Sequence, residues 1–264
     1  MDICFEPQTR QNTSEAEISQ KFIELTLEVQ RLGKTVQIEI IPFIDATLPY
    51  FSVLPWSKKI HVCQCLQNFV EICHETLASG NSLMDSRALV WNTIKYFKWK
   101  PSSDLFAKLL ETDIVEIYDM DHVQIFRNFQ FFEFCSYTLE DVFCRPWQDL
   151  FVRFDDTVFE RLISCLTRLF TNPSHETIPT DVGFHHIQES KSVFRHTIDI
   201  DVKYISKLFG ENRQVVAYVV TESAQFVKVL SREEQNQMME EFYYPDKRPP
   251  FLSLVDRPPE KSRE

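Results

Sequence analysis

The first sustained pattern along the chain is helical. Ser14 and Glu17 are spaced as a capping box, and Ile18, Phe22, Leu25, Val29 and Leu32 follow at intervals of four, three, four and three before Gly33. These five positions form one apolar seam, which serves either as a homodimer interface between two copies or as the core-facing side of an amphipathic helix. From Thr35 to Ile41 the period drops to two, with Val36, Ile38 and Ile40 against Gln37 and Glu39, and Pro42 ends the run. A strand is expected there. A long helix is expected from Trp56 to Leu77 with Ile60, Cys63, Phe69, Val70, Cys73 and Leu77 inward, and another opens at Asn81-Ser82. A short helix carries Leu105, Phe106, Leu109 and Leu110.

Beyond Asp113 the pattern alternates. Ile114 to Tyr118 and Val123 to Phe126 flank the acidic turn Asp119-Met120-Asp121-His122 and read as a hairpin. Thr138 to Asp141 looks like the cap of a short helix, and Thr157 with Glu160 opens a longer one that ends before Asn172-Pro173. A strand over 183–189 comes next. Phe194, His196, Ile198, Ile200, Val202 and Tyr204 then alternate against polar neighbours, Gly210-Glu211-Asn212 turns the chain, and Val215 to Thr221 forms the last strand. The expected fold is α+β: a five-stranded antiparallel sheet with flanking helices, preceded by a mainly helical N-terminal unit. Its segments are 1–111, 112–228 and 229–264. No Gly/Ser linker separates the first two, so they are expected to pack together. The third carries a charged helix ending at Pro245 and a Pro-rich tail in which Phe251, Leu252 and Leu254 are the apolar residues.

Within the second segment, Asn128, Phe131, Tyr137, Thr138, Glu140, Asp141, Val142, Arg145, Pro146, Trp147, Asp149, Leu150 and Asp155-Asp156 succeed one another without a gap. Their spacing is that of N-x-x-F, G-Y-[ST]-x-[ED]-[ED]-L, G-R-P-W-x-x-L and a terminal acidic pair, and in this the stretch resembles the first half of a PAS domain. The resemblance extends over roughly 112–224, its second half through the order of elements: two strands, short helices, a helix, three strands. Ser136 and Cys144 stand where that family has glycines, at helix ends where a positive φ is cheap only for Gly. The resemblance implies a sensory or interaction module: ligand-gated signalling, pairing of copies through flanking helices, and output through a downstream signalling protein. It also implies that the inner sheet face lines any small cavity, through Phe126, Phe134, Trp147, Leu162, Leu166, His196, Ile198, Tyr218 and Val220. An apolar or aromatic small molecule is the expected ligand.

No cofactor is expected. Flavin-binding members need a cysteine in the helix after the G-Y-S segment, but Cys144 falls three residues early and Trp147 fills the adduct position. Haem-binding members usually place a histidine on the long helix, and 157–171 contains none, leaving His185, His186 and His196 in or near the sheet. Among His61, Cys63, Cys65, Cys73 and His74, the pair His61 and Cys65 shares a helix face while Cys63 points about 200° away, so no tetrahedral metal set closes.

Composition narrows the picture. Twenty-three Phe against four Gly favour helix and aromatic cores, and a net charge of −11 lacks the basic stripe a nucleic-acid reader needs. No apolar run reaches the about 18 residues of a membrane span, and the start lacks the basic residues of a secretory signal, so a cytoplasmic protein is expected. Seven scattered cysteines read as reduced, buried thiols. No P-loop, G-x-S-x-G, G-x-G-x-x-G or H-E-x-x-H occurs, and Asp119, Asp121 and His122 read as turn residues. The chain is therefore not expected to be an enzyme. The alternative is a hydrolase or transferase whose non-local site sits on the same scaffold. A cleft of titratable groups that perturb one another would favour the enzyme; a dry apolar cavity with one or two polar anchors would favour sensing.

Overall fold

The computed structural model describes residues 14–155, 157–228 and 230–243. At its N-terminal end the capping box forms: Ser14 Oγ accepts from the Glu17 backbone N–H, and a Glu17 carboxylate oxygen accepts from Ser14, opening α1 (Glu15–Thr35). Phe22 of α1 stacks on Phe51 of the short α2 (Pro49–Ser52), with ring centres 4.3 Å apart. α1 then packs along α3 (Trp56–Ala78). Ile18, Phe22, Val29 and Leu32 are buried in this core and Leu25 is half-buried against it. Of the two readings of the seam, the core-facing one describes its packing inside this chain. Each large apolar side chain buried this way contributes about 1.5–3 kcal/mol, and α3 supplies the facing surface locally. The buried face of α3 follows Val62, Cys63, Leu66, Phe69, Val70 and Cys73; Ile60 and Leu77, expected inward, are 47% and 38% exposed.

Residues 35–41 form no strand. α1 continues to Thr35, Gln37 takes a left-handed φ of 64°, and Ile38 and Ile40 fold back over Gly33. A Cβ on Gly33 would meet Ile40 Cδ1 at 2.8 Å and the Ile38 carbonyl oxygen at 3.0 Å, so this close return favours glycine. The alternation serves packing; Ile41 alone makes a bridge, to Thr138. α4 (Ser86–Tyr96) starts later than expected, where the Asp85 side chain accepts from Ala88 N at 3.0 Å.

The sheet begins with β1 (Lys100–Pro101) and, after α5 (Leu105–Lys108), the hairpin of β2 (Ile114–Asp119) and β3 (Gln124–Arg127). Asp119 Oδ1 holds the hairpin turn by accepting from Asp121 N and Val123 N. Then come α6 (Phe129–Phe134), α7 (Leu139–Cys144), a 3-10 turn at Trp147–Asp149, β4 (Phe151–Arg153) and α8 (Thr157–Thr171). β5 (Thr177–Pro179), β6 (Phe184–Glu189), β7 (Thr197–Phe209) and β8 (Val215–Phe226) close the series. All pairs are antiparallel in the order β3-β2-β8-β7-β6-β4, with β1 and β5 added along β7. The fold is mixed helix and antiparallel sheet, with eight strands among the described residues where five were expected. The extra three, β1, β4 and β5, are two or three residues long and below the length a periodicity argument resolves.

Both faces of the central strands are covered. Phe69 of α3 lies 5.5 Å from the rings of Phe126 and Phe129, and Val115, Ile117, Ala217 and Val219 join the same core, so 14–111 and the sheet share one hydrophobic interior. On the other face, Cys165 and Leu169 of α8 pack with Val202, Ile205, Tyr218 and Val220. The pairing of β7 with β8 shifts register between Val202 and Tyr204, and the added residue reverses which side chains face α8. Ile198, Ile200 and Val202 face it before the bulge and Ile205 after it, while Tyr204, expected inward, instead meets Lys108 Nζ at 5.1 Å from its ring centre.

The stretch that carries the family-like motif is tied down residue by residue. Asn128 Oδ1 accepts from Val115 N at 3.0 Å, and its Nδ2 donates to Ser86 Oγ and Asp113 O, joining β2 to α4. Thr138 and Asp141 form a capping box on α7, and Arg145 closes onto Asp141 at 2.9 Å. Neither Ser136 nor Cys144 takes a positive φ. Replacing glycine costs nothing at these positions, and Ser136 Oγ gains a bond to Glu189 Oε2 at 2.7 Å. Thr157 is the first residue of α8, not its cap; Asp155 Oδ1 accepts from its N–H at 2.9 Å.

From Lys228 a second unit carries α9 (Arg232–Tyr243), opened by Ser231, whose Oγ accepts from Glu234 N. Phe251, Leu252, Leu254 and the prolines around them lie outside the described residues. Among the described residues no helix is long and apolar enough to cross a membrane, and no group of three or more His, Cys, Asp or Glu is placed to hold a metal ion.

Candidate functional site

α8 is strongly amphipathic, and its apolar side does not close fully onto the sheet. Leu162, Ile163 and Leu166 stand opposite Ile198, Ile200, Val202 and Ile205 of β7 across a cavity of about 100 Å³. Phe134, at the end of α6, and Trp147, in the 3-10 turn, close its side. Trp147 is held by an edge contact with Tyr118 at 6.4 Å and a tilted one with Phe159 at 5.8 Å.

The sheet side of the cavity is not purely apolar. Alternation along β2 sends Ile114, Glu116 and Tyr118 to it, and the register sets Glu116 directly opposite Arg127 of β3. Their charged groups meet at 2.5 Å, and the Tyr118 hydroxyl donates to the other Glu116 oxygen. The Arg127 guanidinium lies over the Phe131 ring, its Cζ 3.6 Å from the ring centre. Among the described residues its Nε and Nη1 have no hydrogen-bond partner.

Glu222 of β8 completes the cluster. It is 8% exposed. Burial and the neighbouring Glu116 carboxylate push its pKa well above the usual range, against the pull of Arg127 and Arg153. Arg153 on β4 sits 5.2 Å from the Trp147 ring centre, with Nη1 donating to Phe151 O at 3.4 Å and Nε unpartnered. Burial lowers its pKa and that of His185, whose Nδ1 lies 3.0 Å from Gly183 O. Tyr218 stacks on Tyr118 at 5.4 Å and reaches His122 Nδ1 at 2.8 Å. The arrangement can bind an apolar body with a polar head, and Glu222 can exchange a proton.

Of the nine side chains expected to line a cavity, Phe134, Trp147, Leu162, Leu166, Ile198, Tyr218 and Val220 do so. Phe126 and His196 do not. In β3 it is Arg127 that shares the α8 face; Phe126, one residue away, is turned to Phe69 on the opposite face. His196 precedes β7, with its ring 5.5 Å from Phe194 and 5.0 Å from Phe226 and its Nδ1 3.9 Å from Glu189. Glu116, Arg127, Arg153 and Glu222 were missed as site residues. The signal was present in part: a strand carrying Val115, Ile117 and Tyr118 together has both faces buried, so Glu116 has no solvent side to occupy.

Other candidate chemistry does not assemble. Cys65 Sγ lies 3.5 Å from His61 Nε2, but Cys63 is turned to Ile18 O at 3.8 Å, and burial pushes the Cys65 thiol up to about 12. Cys144 ends α7 and does not line the cavity. No family model and no curated protein matches the chain. A solved structure, that of an RNA-binding Light-Oxygen-Voltage receptor, is similar to it at 15% identity over 88% of this chain and 69% of that one, with a TM-score of 0.27. At that score the likeness carries no argument about fold or function.

Proposed function

We propose that residues 112–227 form a PAS-like signalling module that senses a small molecule in the cavity between α8 and the sheet and passes its state to a protein partner. The observation that carries this reading is the cavity itself: apolar walls from α8 and β7 around a small set of fixed polar groups, the usual make-up of a ligand pocket. The order β2, β3, three short helical elements, α8, then β6, β7 and β8 agrees with the resemblance in the 128–156 stretch. Because the seam of Ile18, Phe22, Leu25, Val29 and Leu32 packs on α3, pairing of copies is not assigned to it.

One observation favours an enzyme as second reading. Glu222, with its pKa raised by burial and by the neighbouring Glu116, lines the cavity beside Tyr118 and is the kind of group that serves as a general acid. The cavity supplies no nucleophile next to a base, so sensing is preferred. Native mass spectrometry of the protein purified from its own source, with an absorption spectrum of the same sample, tests both. A co-purifying small molecule released unchanged on denaturation is the expected result. An empty chain whose melting temperature responds to no member of a small-molecule panel would overturn sensing, and conversion of a bound molecule during incubation would favour the enzyme.

A further inference from the structure

The charges around the cavity do not balance. Arg127 is only 4% exposed yet leaves Nε and Nη1 without partners among the described residues, and Arg153 leaves its Nε without one. Buried donors of this kind are rare in folded proteins and costly when unmade. Glu116 offsets one guanidinium charge. Glu222 is held toward its neutral form, His185 likewise, and Tyr118 and Tyr218 are phenols whose ionisation burial opposes. One positive charge and three unused N–H-bearing nitrogens therefore remain facing walls that are otherwise apolar.

We propose that the cavity takes a small carboxylate: a short alkyl chain whose acid group accepts from Arg127 and Arg153 while its apolar body rests against Leu162, Leu166, Ile198 and Ile200. The planar fork of a guanidinium matches a two-oxygen acceptor better than a single hydroxyl or carbonyl does. The size limit follows from the volume of about 100 Å³: a dry cavity of about 150 Å³ holds one benzene ring, so this smaller one fits a short alkyl chain and not a ring. This proposal rests on the cavity being a ligand site, and the test separates the two claims.

Butyrate, butyramide and 2-pentanone are titrated into the full chain by calorimetry, with the butyrate carboxyl carbon followed by NMR. Butyrate is expected to bind at least about tenfold more tightly than the other two, the difference a charge-assisted hydrogen bond supplies. Arg153→Met, on the three-residue strand β4, is expected to weaken butyrate about tenfold and leave 2-pentanone unchanged. The double variant Glu116→Leu with Arg127→Met removes the other anchor without stranding its partner charge, and the same loss is expected. If butyramide and 2-pentanone bind as tightly as butyrate and Arg153→Met alters none of them, the acid is the wrong class while the cavity remains a ligand site. If none of the three binds the unaltered chain, the cavity reading falls as well.

Discussion

The Glu116–Arg127 pair offers a sharp test of how the interior is stabilised. The two charged groups are 2.5 Å apart with side chains 9% and 4% exposed, on neighbouring strands whose other faces are packed against helices. Arg127→Met leaves a carboxylate in the interior with the Tyr118 hydroxyl as its remaining hydrogen-bond donor, and removing one partner of such a pair costs about 3–5 kcal/mol. Glu116→Leu strands the guanidinium and costs a similar amount. The double variant removes both desolvation penalties at roughly constant volume. Its expected loss is about 1–2 kcal/mol, most of it from the Tyr118 hydroxyl left without its acceptor. Urea unfolding of the four proteins, compared at a common m value, measures the cycle. A double variant as unstable as the sum of the two singles would show that the pair is not an isolated buried couple and would sink the electrostatic account of the cavity.

Glu222 gives a pH signature. Its folded pKa is raised, so the native state binds the proton more tightly than the unfolded chain; its contribution is fully present below the unfolded carboxyl's value and is lost as pH rises through the folded one. Glu222→Gln should therefore match the unaltered chain near about pH 4 and exceed it in urea midpoint at neutral pH; parallel pH curves would contradict this. Phe69→Ala should cost about 3–5 kcal/mol, and a chain beginning at residue 112 should bind a hydrophobic dye because Phe126 and Phe129 lose their cover; a soluble, dye-silent fragment with a cooperative melt would argue for separate cores. Burial pushes the Cys63 thiol up to about 11 and Cys65 up to about 12, so both, with the fully buried Cys73, should resist Ellman's reagent until denaturant is added. Rapid labelling of the native protein at any of the three would be inconsistent with the packing of α3.

Local chemistry was readable and phase was not. The capping boxes at Ser14 and Thr138 lie within one turn of the helices they start, so four residues specify them. The α1 seam was equally readable as a pattern, but spacing alone does not say whether the facing helix belongs to the same chain. Strand positions fared differently. Seven of the nine expected cavity residues reach the cavity; Phe126 falls on the wrong side by the parity of a four-residue strand and His196 lies before β7 begins, while Tyr204, outside the nine, is turned by a bulge that leaves no sequence mark. The ionic cluster was not legible as a unit because its burial depends on two layers, α8 and the N-terminal helices, that close over the sheet from distant parts of the chain.

That closure makes β2 and β8 a party wall. Tyr118, Tyr218 and Glu116 furnish one room while their immediate chain neighbours Ile117, Ala217, Val219 and Val115 furnish the other. Adjacent residues of a strand are bound to one backbone and move with it, and a close-packed interior has no slack to absorb the motion. A guest that pushes the wall from the α8 side leans on the lodgers of the far room, and its arrival is felt by helices it never touches.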